Sequence, residues 1–359
     1  VSLFRKHAGP LGAASPGTIS GGPAGAAAAS RRPGLDVNEL DHRVDIYVGK
    51  GLAASTQRSY GSGVRRYEEF CRLAALPPLS ASEKDLSRFV AHLASNGLTY
   101  RTIKVYLAGI RFARIKAGLP NMFSGAGMPK LEYVLKGVRR AEAEQGKESR
   151  QRLPITPDIL MALKAVWAPR GGEADTKMLW AAVCVGFFAF LRAGEMTVPS
   201  EGGYDPEVHL NMGDVAVDDP REPTLIQLRI KQSKTDPFRL GVKVVVGRTG
   251  TSLCPVAALL DYLRSRGTGE GPLFRYQDGR CLTRQRLVVA LREGLSEAGI
   301  EQEKYCSHSL RIGAATTAAK KGMGDAVIKT LGRWESVAYQ QYVRIPSEQL
   351  ASYSAVLAS

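Results

Sequence analysis

Residues 307–344 read SHSLRIGAATTAAKKGMGDAVIKTLGRWESVAYQQYVR. Helical periodicity predicts three helices in this stretch, over residues 307–321, 325–331 and 336–343. His308 and Arg311 are three residues apart, so they lie on one face of the first helix. With Ser307 as a helix cap, the imidazole, the guanidinium and the positive helix end can converge on one anion. The small residues from Gly313 to Ala315 leave room for another element to approach closely.

A β-hairpin is predicted upstream of this stretch. Residues 225–230 and 242–246 are rich in branched side chains, which are typical of strands. The segment KQSKTDP, residues 231–237, has turn chemistry between them. The hairpin would therefore carry Lys231 and Lys234 at its tip.

An apolar helix precedes the hairpin. Residues 180–191 are apolar on every side and predict the centre of a core, and Arg192 follows directly. Glu195 is three residues further on and can hold the Arg192 guanidinium as a fixed fork suited to phosphate oxygens, although a plain surface ion pair is the alternative. Three more helices are predicted in this half of the chain, over residues 156–167, 254–264 and 283–298. This half is therefore predicted to be mostly α-helical with one small sheet.

The amino-terminal half is predicted to be helical and strongly basic. Its helices are expected to begin near Thr56, which can cap the first of them, and near Ser82 and Thr99. The third helix is two-faced: its apolar residues fall on one side, and Arg101, Lys104 and Arg111 fall on the opposite side. Between residues 98 and 140 there are nine basic residues and one acidic residue, Glu132. This density favours contact with an anionic partner over a merely solvated surface. The residues predicted to contact DNA here are Arg58, Arg65, Arg101, Lys104 and Arg111, and Lys231 joins them from the hairpin.

Composition limits the classes of protein. The chain has 359 residues, a formal charge of +15 and 44% hydrophobic residues, which permits packed cores and favours a polyanionic partner, a nucleic acid ahead of a membrane surface. No apolar run approaches the length of a membrane span. Five scattered cysteines fit reduced thiols better than disulfides or a zinc site. Phosphate-binding loops, dinucleotide-binding motifs and metalloprotease motifs are missing from the sequence, so we expect no cofactor and no metal.

The pattern divides the chain into five parts. Residues 1–35 are rich in Gly, Ala, Pro and Ser and predict a disordered tail, with a transit peptide as the alternative. Residues 36–140 are predicted to form a helical, basic domain, residues 141–153 a linker, and residues 154–345 a second domain. Residues 346–359 have apolar residues at helical spacing and predict a short amphipathic helix.

The order of these motifs resembles the tyrosine recombinase (phage-integrase-like) family: an arginine, a hairpin lysine, H-x-x-R, G-[HW], and a tyrosine near the carboxyl end. The resemblance extends from about residue 41 to residue 344. The segments HSLRIGAATTAA, LGRWES and QYVR are most similar to the corresponding segments in recombinases of eukaryotic mobile elements of the DIRS and Crypton type. The resemblance implies a fold that is mainly α with a small antiparallel β-sheet, arranged as a two-domain C-shaped clamp around DNA. Residues 36–140 would be the DNA-binding domain and residues 154–345 the catalytic domain. The helix over residues 346–359 would dock on a neighbouring protomer or, alternatively, on its own domain.

The resemblance also implies a role for each motif residue. Arg192 and Arg311 match the two arginines that clamp the non-bridging oxygens of the scissile phosphate. Lys234 matches the lysine that protonates the 5′ oxygen, with Lys231 as a weaker substitute. His308 matches the histidine that positions the phosphate and handles the proton of the nucleophile.

Tyr342 matches the nucleophile, which forms a 3′-phosphotyrosine without metal or ATP. Trp334 matches the histidine-or-tryptophan position, whose ring N–H donates to a phosphate oxygen. The family spacing of nine residues, however, counts back from Tyr342 to Arg333, so either residue can fill that position. Tyr339 is the alternative nucleophile.

The resemblance finally implies partners. The expected assembly is a homotetramer on two DNA duplexes, in the nucleus or in the cytosol before import, that integrates or excises a transposable element such as a retrotransposon. Two alternatives remain: a type IB topoisomerase-like enzyme that cleaves without strand exchange, and a DNA-binding protein descended from a recombinase whose chemistry has lapsed.

Overall fold

The computed structural model describes residues 35–77, 82–121, 127–146, 152–170, 173–234, 236, 238 and 240–344. Residues 35–146 belong to one compact unit and residues 152–344 to a second. The predicted tail up to residue 34, residues 147–151 of the predicted linker and the predicted helix over 346–359 lie outside the described residues. The fold class predicted from the sequence is confirmed: the described chain is mainly helical, with a small antiparallel sheet of three strands.

The first unit consists of helices. They are α1 (Val37–Lys50), α2 (Ala54–Leu73), α3 (Glu83–Ser95), α4 (Tyr100–Lys116) and α5 (Pro129–Glu144). Ser82 and Thr99 cap α3 and α4 by accepting main-chain N–H bonds from Asp85 and Thr102. The prediction that Thr56 caps α2 is wrong. The helix begins two residues earlier, and the side chain of Gln57 binds the carbonyls of the preceding turn.

Helices α2 and α4 pack closely because glycines line their crossing. A Cβ atom on Gly109 would lie 2.6 Å from the Tyr60 carbonyl oxygen, and one on Gly63 would lie 2.6 Å from the Tyr106 Cα. Below the crossing, a core forms around fully buried aromatic and aliphatic side chains: Tyr67, Leu86, Phe89, Val90, Ile103 and Ile110. This contact fixes α2 and α4, the two helices that carry the predicted DNA contacts, against each other.

The second unit packs helices around a small sheet. Its helices are α6 (Pro157–Trp167), α7 (Ala174–Phe188), α8 (Ala193–Met196), α9 (Pro255–Arg266), α10 (Arg284–Glu297), α11 (His308–Lys320) and α12 (Asp325–Gly332). Its strands are β1 (Val215–Val217), β2 (Leu225–Ile230) and β3 (Val242–Gly247), antiparallel in that order. The last short element is a 3₁₀ helix, Val337–Tyr342, which we call the Tyr342 turn. The expected α-helix over residues 336–343 is therefore wrong in type.

Two helices form the centre of this unit. Helix α7 is buried along most of its length, as the apolar pattern predicts, although it begins six residues before Trp180 and ends before Leu191. Helix α11 is equally buried, and a Cβ atom on Gly313 would lie only 1.8 Å from the carbonyl oxygen of Ile155. The close approach expected at this glycine is therefore present.

Other features of the described chain are ordinary for a globular protein. All five cysteines are free thiols, and four of them are buried. Among the described residues, no three His, Cys, Asp or Glu side chains group in a way that could hold a metal ion. No helix in the described ranges combines the length and the apolar character needed to cross a bilayer.

Candidate active site

Arg192 and Glu195 form a buried ion pair at the start of α8. Arg192 lies at the N-cap position, where its main-chain N–H donates to Glu195 Oε2 at 2.9 Å and its Nη1 donates to Oε1 at 2.9 Å. The Glu195 side chain is only 2% exposed. The expected fork is therefore present, and because it spans a helix start it fixes the Arg192 backbone together with the guanidinium.

The same carboxylate holds a second guanidinium. Arg333 Nη2 donates to Glu195 Oε2 at 2.6 Å, and its Nη1 donates to the Ala189 carbonyl at 3.2 Å. Arg333 ends α12 in the left-handed conformation, with φ at 55°, and this turn of the backbone directs its side chain inward. Arg333 and Trp334 are the two residues that can fill the histidine-or-tryptophan position. Arg333 is the one that adds a cation beside Arg192.

Arg311 lies beneath these groups with none of its surface exposed. Its two terminal nitrogens donate to the carbonyls of Phe190 and Gly332, while its Nε atom has no partner among the described residues. The Trp334 ring stacks on the guanidinium, at 4.1 Å, and the Tyr342 ring lies 5.7 Å away. A phosphate could reach this guanidinium only after one of these neighbours moved.

Electrostatics make this cluster a site for an anion. Burial, together with the charges of Arg192 and Arg333, lowers the pKa of Arg311 to about 9 against the opposing effect of Glu195. Burial also lowers the pKa of Arg333. Three guanidinium groups around one carboxylate repel one another, so binding of a phosphate diester would relieve that repulsion.

His308 begins α11 on the edge of the cluster. Burial lowers the pKa of His308, and the positive charges of Arg284, Arg311, Arg192 and Lys234 lower it further. Its Nδ1 atom is buried and has no partner among the described residues. The imidazole is therefore neutral near pH 7 and can accept a proton.

Ser307 does not cap α11, contrary to the sequence prediction. Its backbone is already helical and its hydroxyl makes no capping bond. The hydroxyl instead accepts a hydrogen bond from Arg284 Nε at 3.1 Å. Arg284 thus brings a cation to the His308 end of the cluster.

The two tyrosines of the Tyr342 turn have different surroundings. Tyr339 is 3% exposed, its hydroxyl donates to Asp325, and Lys329 lies 5.2 Å from its ring centre. The Tyr342 ring lies beside Trp334, with ring centres 5.1 Å apart, and faces Arg311. Only Tyr342 is placed beside a guanidinium of the cluster.

The two hairpin lysines also differ. Lys231 Nζ binds Asp214 at 2.7 Å, the Pro206 carbonyl at 2.6 Å and the His209 carbonyl at 3.3 Å. This ammonium already has three acceptors within the fold, so we withdraw Lys231 both as a DNA contact and as a substitute acid. Lys234 is exposed in the turn, and its charge is felt at His308.

A groove lies between the hairpin and the end of α12. Its volume is about 420 Å³, and its lining includes Ser233 and Asp236 from the hairpin together with Arg333 and Glu335. Lys234 follows Ser233 in the chain, so the hairpin turn that carries it adjoins this groove.

The structure brings most of the predicted site residues together. The cluster contains Arg192, Glu195, His308, Arg311, Arg333, Trp334 and Tyr342. The predicted DNA contacts of the first unit lie on exposed positions of α2 and α4: Arg58, Arg65, Arg101, Lys104 and Arg111. Their opposite, apolar side is buried, as the two-faced pattern of α4 predicts. Contact with DNA at these positions stays a prediction.

Sequence reasoning missed two residues near the site. Arg284 follows Thr283 at the start of α10, a helix start that the periodicity already indicated. Thr316 lies one turn and a half after Arg311 on α11, and its hydroxyl contacts the main chain of the Tyr342 turn. Thr316 lies within the string HSLRIGAATTAA but was given no role there, Arg284 lies outside every motif, and both are identified only by their contacts.

Comparison with known proteins identifies the fold. The XerH site-specific recombinase, in a pre-cleavage complex with its difH substrate, superposes with a TM-score of 0.54 at 16% identity, over 84% of this chain and 79% of that one. The Tn1549 transposon integrase, in complex with transposon right end DNA, superposes with a TM-score of 0.54 at 15% identity, over 90% of this chain and 100% of the integrase. The chain has the tyrosine recombinase fold.

Further comparisons agree with this fold. A lambda integrase dimer bound to a COC′ core site superposes on the tyrosine recombinase fold of this chain with a TM-score of 0.52 and 16% identity, over 86% of this chain and 95% of the integrase. The integrase/recombinase XerD homolog of Selenomonas ruminantium is 22% identical over 296 residues, which are 80% of each chain. No family model matches the sequence. The solved structures thus show the fold of this chain, and the Selenomonas relative is similar to it in sequence over most of its length.

Proposed function

We propose that this protein is a site-specific tyrosine recombinase that cleaves and rejoins DNA strands through a 3′-phosphotyrosine at Tyr342. The observation that carries the proposal is the placement of the Tyr342 ring 5.7 Å from the buried Arg311 guanidinium, within a cluster that includes Arg192 and His308. An enzyme that attacks a phosphodiester with a phenol needs fixed positive groups of this kind around the phosphorus.

In the proposed first step, the scissile phosphate is held by Arg192, Arg311 and Arg333. Because Arg311 has no exposed surface, a neighbouring ring has to move before the phosphate binds, and in the proposed step this is the Tyr342 ring. Glu195 keeps the Arg192 and Arg333 forks in place. Trp334 stacks on the Arg311 guanidinium, and Arg333 rather than the matched Trp334 takes the histidine-or-tryptophan position.

The chemical step forms one bond and breaks one. The Tyr342 oxygen attacks the phosphorus and gives its proton to the neutral His308, while the bond from phosphorus to the 5′ oxygen breaks. Lys234 supplies the proton that this leaving oxygen takes up. A 5′ hydroxyl from the same or another duplex then attacks the phosphotyrosine, releases Tyr342 and reseals the strand without ATP.

The finer assignments are also proposals. The sequences of the motifs support an assignment to a mobile element of the DIRS or Crypton type, which the enzyme would integrate or excise. Recombination joins two duplexes at four strand breaks, which supports a tetramer on two DNA duplexes. A eukaryotic element of this type would place the enzyme in the nucleus, or in the cytosol before import, and the net charge of +15 supports a polyanionic partner.

The test is a covalent adduct. We would incubate the protein with nicked suicide duplexes tiled across the genomic DNA that flanks its gene, and look for an SDS-resistant complex. Tyr342→Phe should abolish the adduct, and Tyr339→Phe should retain it because the Tyr339 hydroxyl is bound to Asp325. An adduct that persists in Tyr342→Phe and disappears in Tyr339→Phe would overturn the assignment.

A second assay separates the two alternative functions. Two differently labelled target duplexes should give joint molecules if the enzyme recombines DNA. Supercoil relaxation without joint products would indicate a type IB topoisomerase-like enzyme. DNA binding without any adduct would indicate a protein whose chemistry has lapsed.

A further inference from the structure

The Tyr342 turn is tied to α11 through one buried hydroxyl. Thr316 is 6% exposed and lies on α11, five residues after Arg311. Its Oγ1 donates to the Tyr342 carbonyl oxygen at 3.1 Å and accepts from the Arg344 main-chain N–H at 3.0 Å. A single side chain therefore binds the backbone on both sides of Val343.

This contact determines where the tyrosine sits. The Tyr342 turn is a short 3₁₀ helix, and its last main-chain bond, from the Val343 N–H to the Gln340 carbonyl, is long at 3.3 Å. Such an element has little stability of its own. The two bonds of Thr316 hold its end to the helix that carries Arg311, so the spacing between Arg311 and Tyr342 is fixed through α11.

We propose that Thr316 is a positioning residue that latches the nucleophile segment onto α11. This inference rests on the proposed function, because Thr316 would position Tyr342 as the nucleophile of that reaction. The latch holds only the main chain of residues 342 and 344. Rotation about the side-chain torsions of Tyr342 can then bring the phenol off Arg311 and toward a phosphate while the segment stays in place.

The test compares Thr316→Val with Thr316→Ser and Thr317→Val. Valine keeps the shape of threonine and removes the hydroxyl, serine keeps the hydroxyl, and Thr317 is a neighbouring threonine on α11 whose side chain is less buried. On the suicide duplex that reacts with the wild type, Thr316→Val should form the adduct at least about tenfold more slowly, since two hydrogen bonds are lost. Its affinity for the same duplex should change less than about twofold, because Thr316 does not contact DNA in the proposed complex. Thr316→Ser and Thr317→Val should react at the wild-type rate.

A second measurement needs no DNA. Trypsin cuts after Arg344, whose main-chain N–H is held by Thr316. In the full-length protein, cleavage at this bond should be several-fold faster in Thr316→Val than in the wild type, Thr316→Ser or Thr317→Val. Thermal unfolding shows whether each variant is folded, and Thr316→Ala replaces Thr316→Val if the valine variant does not fold.

The outcomes separate this inference from the proposed function. If the wild type forms the Tyr342 adduct and Thr316→Val forms it equally fast, the latch is overturned and the function stands. If Thr316→Ser is as slow as Thr316→Val, the hydroxyl is not the cause and the latch is overturned too. If the wild type forms no adduct, the function fails, and equal trypsin cleavage at Arg344 in all variants would then overturn the latch separately.

Discussion

Glu195 is the residue on which the charge balance of the site depends. It is the carboxylate to which both the Arg192 and the Arg333 guanidinium groups bind, at 2.9 and 2.6 Å. Glu195→Gln should therefore lower the free energy of unfolding by about 3–5 kcal/mol, the usual effect of removing one partner from a buried ion pair. Urea unfolding measures this change.

Glu201→Gln is the matched control for Glu195→Gln. Glu201 pairs with Arg286, but its side chain is 52% exposed. A surface pair of this kind contributes at most about 1 kcal/mol. Equal destabilisation by the two substitutions would show that the Glu195 network does not stabilise the site.

His308 should make stability depend on pH. Burial and the charges of Arg284, Arg311, Arg192 and Lys234 lower its pKa in the folded protein, so below about pH 6.5 the unfolded chain binds more protons than the folded chain. The free energy of unfolding should fall as the pH decreases from 7 to 5, by at most about 1.4 kcal/mol per pH unit from this group. The slope should be smaller in His308→Gln and unchanged in a variant of the exposed His42. An identical slope in His308→Gln and the wild type would contradict the assignment.

At this scale the sequence predicted the residue types well and their roles less well. The motif spacing brought Arg192, Glu195 and Arg311 to attention, and the structure joins them. The motif spacing could not decide between Arg333 and Trp334, because the direction of each side chain depends on the left-handed backbone at residue 333. Nor could it show that Lys231 is bound by Asp214, since β1 and the turn before it had no signal in the sequence.

At the scale of elements, the α2–α4 crossing depends on Gly109. An added Cβ atom would meet the Tyr60 carbonyl oxygen at 2.6 Å. Gly109→Ala should therefore destabilise the protein by about 1–3 kcal/mol, the usual cost of overpacking. Differential scanning calorimetry measures the change.

Gly137→Ala provides the opposite control. Gly137 lies within α5 and has nothing within 4 Å of the added Cβ atom. Alanine should stabilise that helix by up to about 1 kcal/mol, because it restricts the unfolded chain and favours the helix. If both alanine variants were stabilised, the close crossing of α2 and α4 would be wrong.

Most elements were predictable, and the exceptions have physical causes. Helical periodicity located the helices that begin after Ser82, Thr99 and Thr156 to within a few residues. Strand β1 was missed because three residues are too few to show an alternating pattern. The Tyr342 turn was predicted as an α-helix because its apolar spacing suits either helix type, while its tertiary contacts to α11 select the tighter one.

At the scale of the whole molecule, the structure bears on which subunit supplies the nucleophile. Thr316 and Arg311 hold the Tyr342 turn on the same chain. We therefore expect cleavage in cis, with each tyrosine acting beside its own arginines. A mixture of Tyr342→Phe and Arg192→Gln should form no more adduct than either variant alone. Restoration of the adduct in the mixture would instead require delivery of the tyrosine to a neighbouring subunit.

The most direct test of the account is to identify the amino acid that is joined to DNA. The adduct would be digested with nuclease and trypsin, and the peptide carrying the nucleotide would be sequenced by mass spectrometry. Cleavage after Arg333 and Arg344 gives one peptide, residues 334–344, that contains both Tyr339 and Tyr342. The account predicts that the fragment ions place the phosphodiester on Tyr342. A phosphodiester on Tyr339, or on any residue outside this peptide, would contradict it.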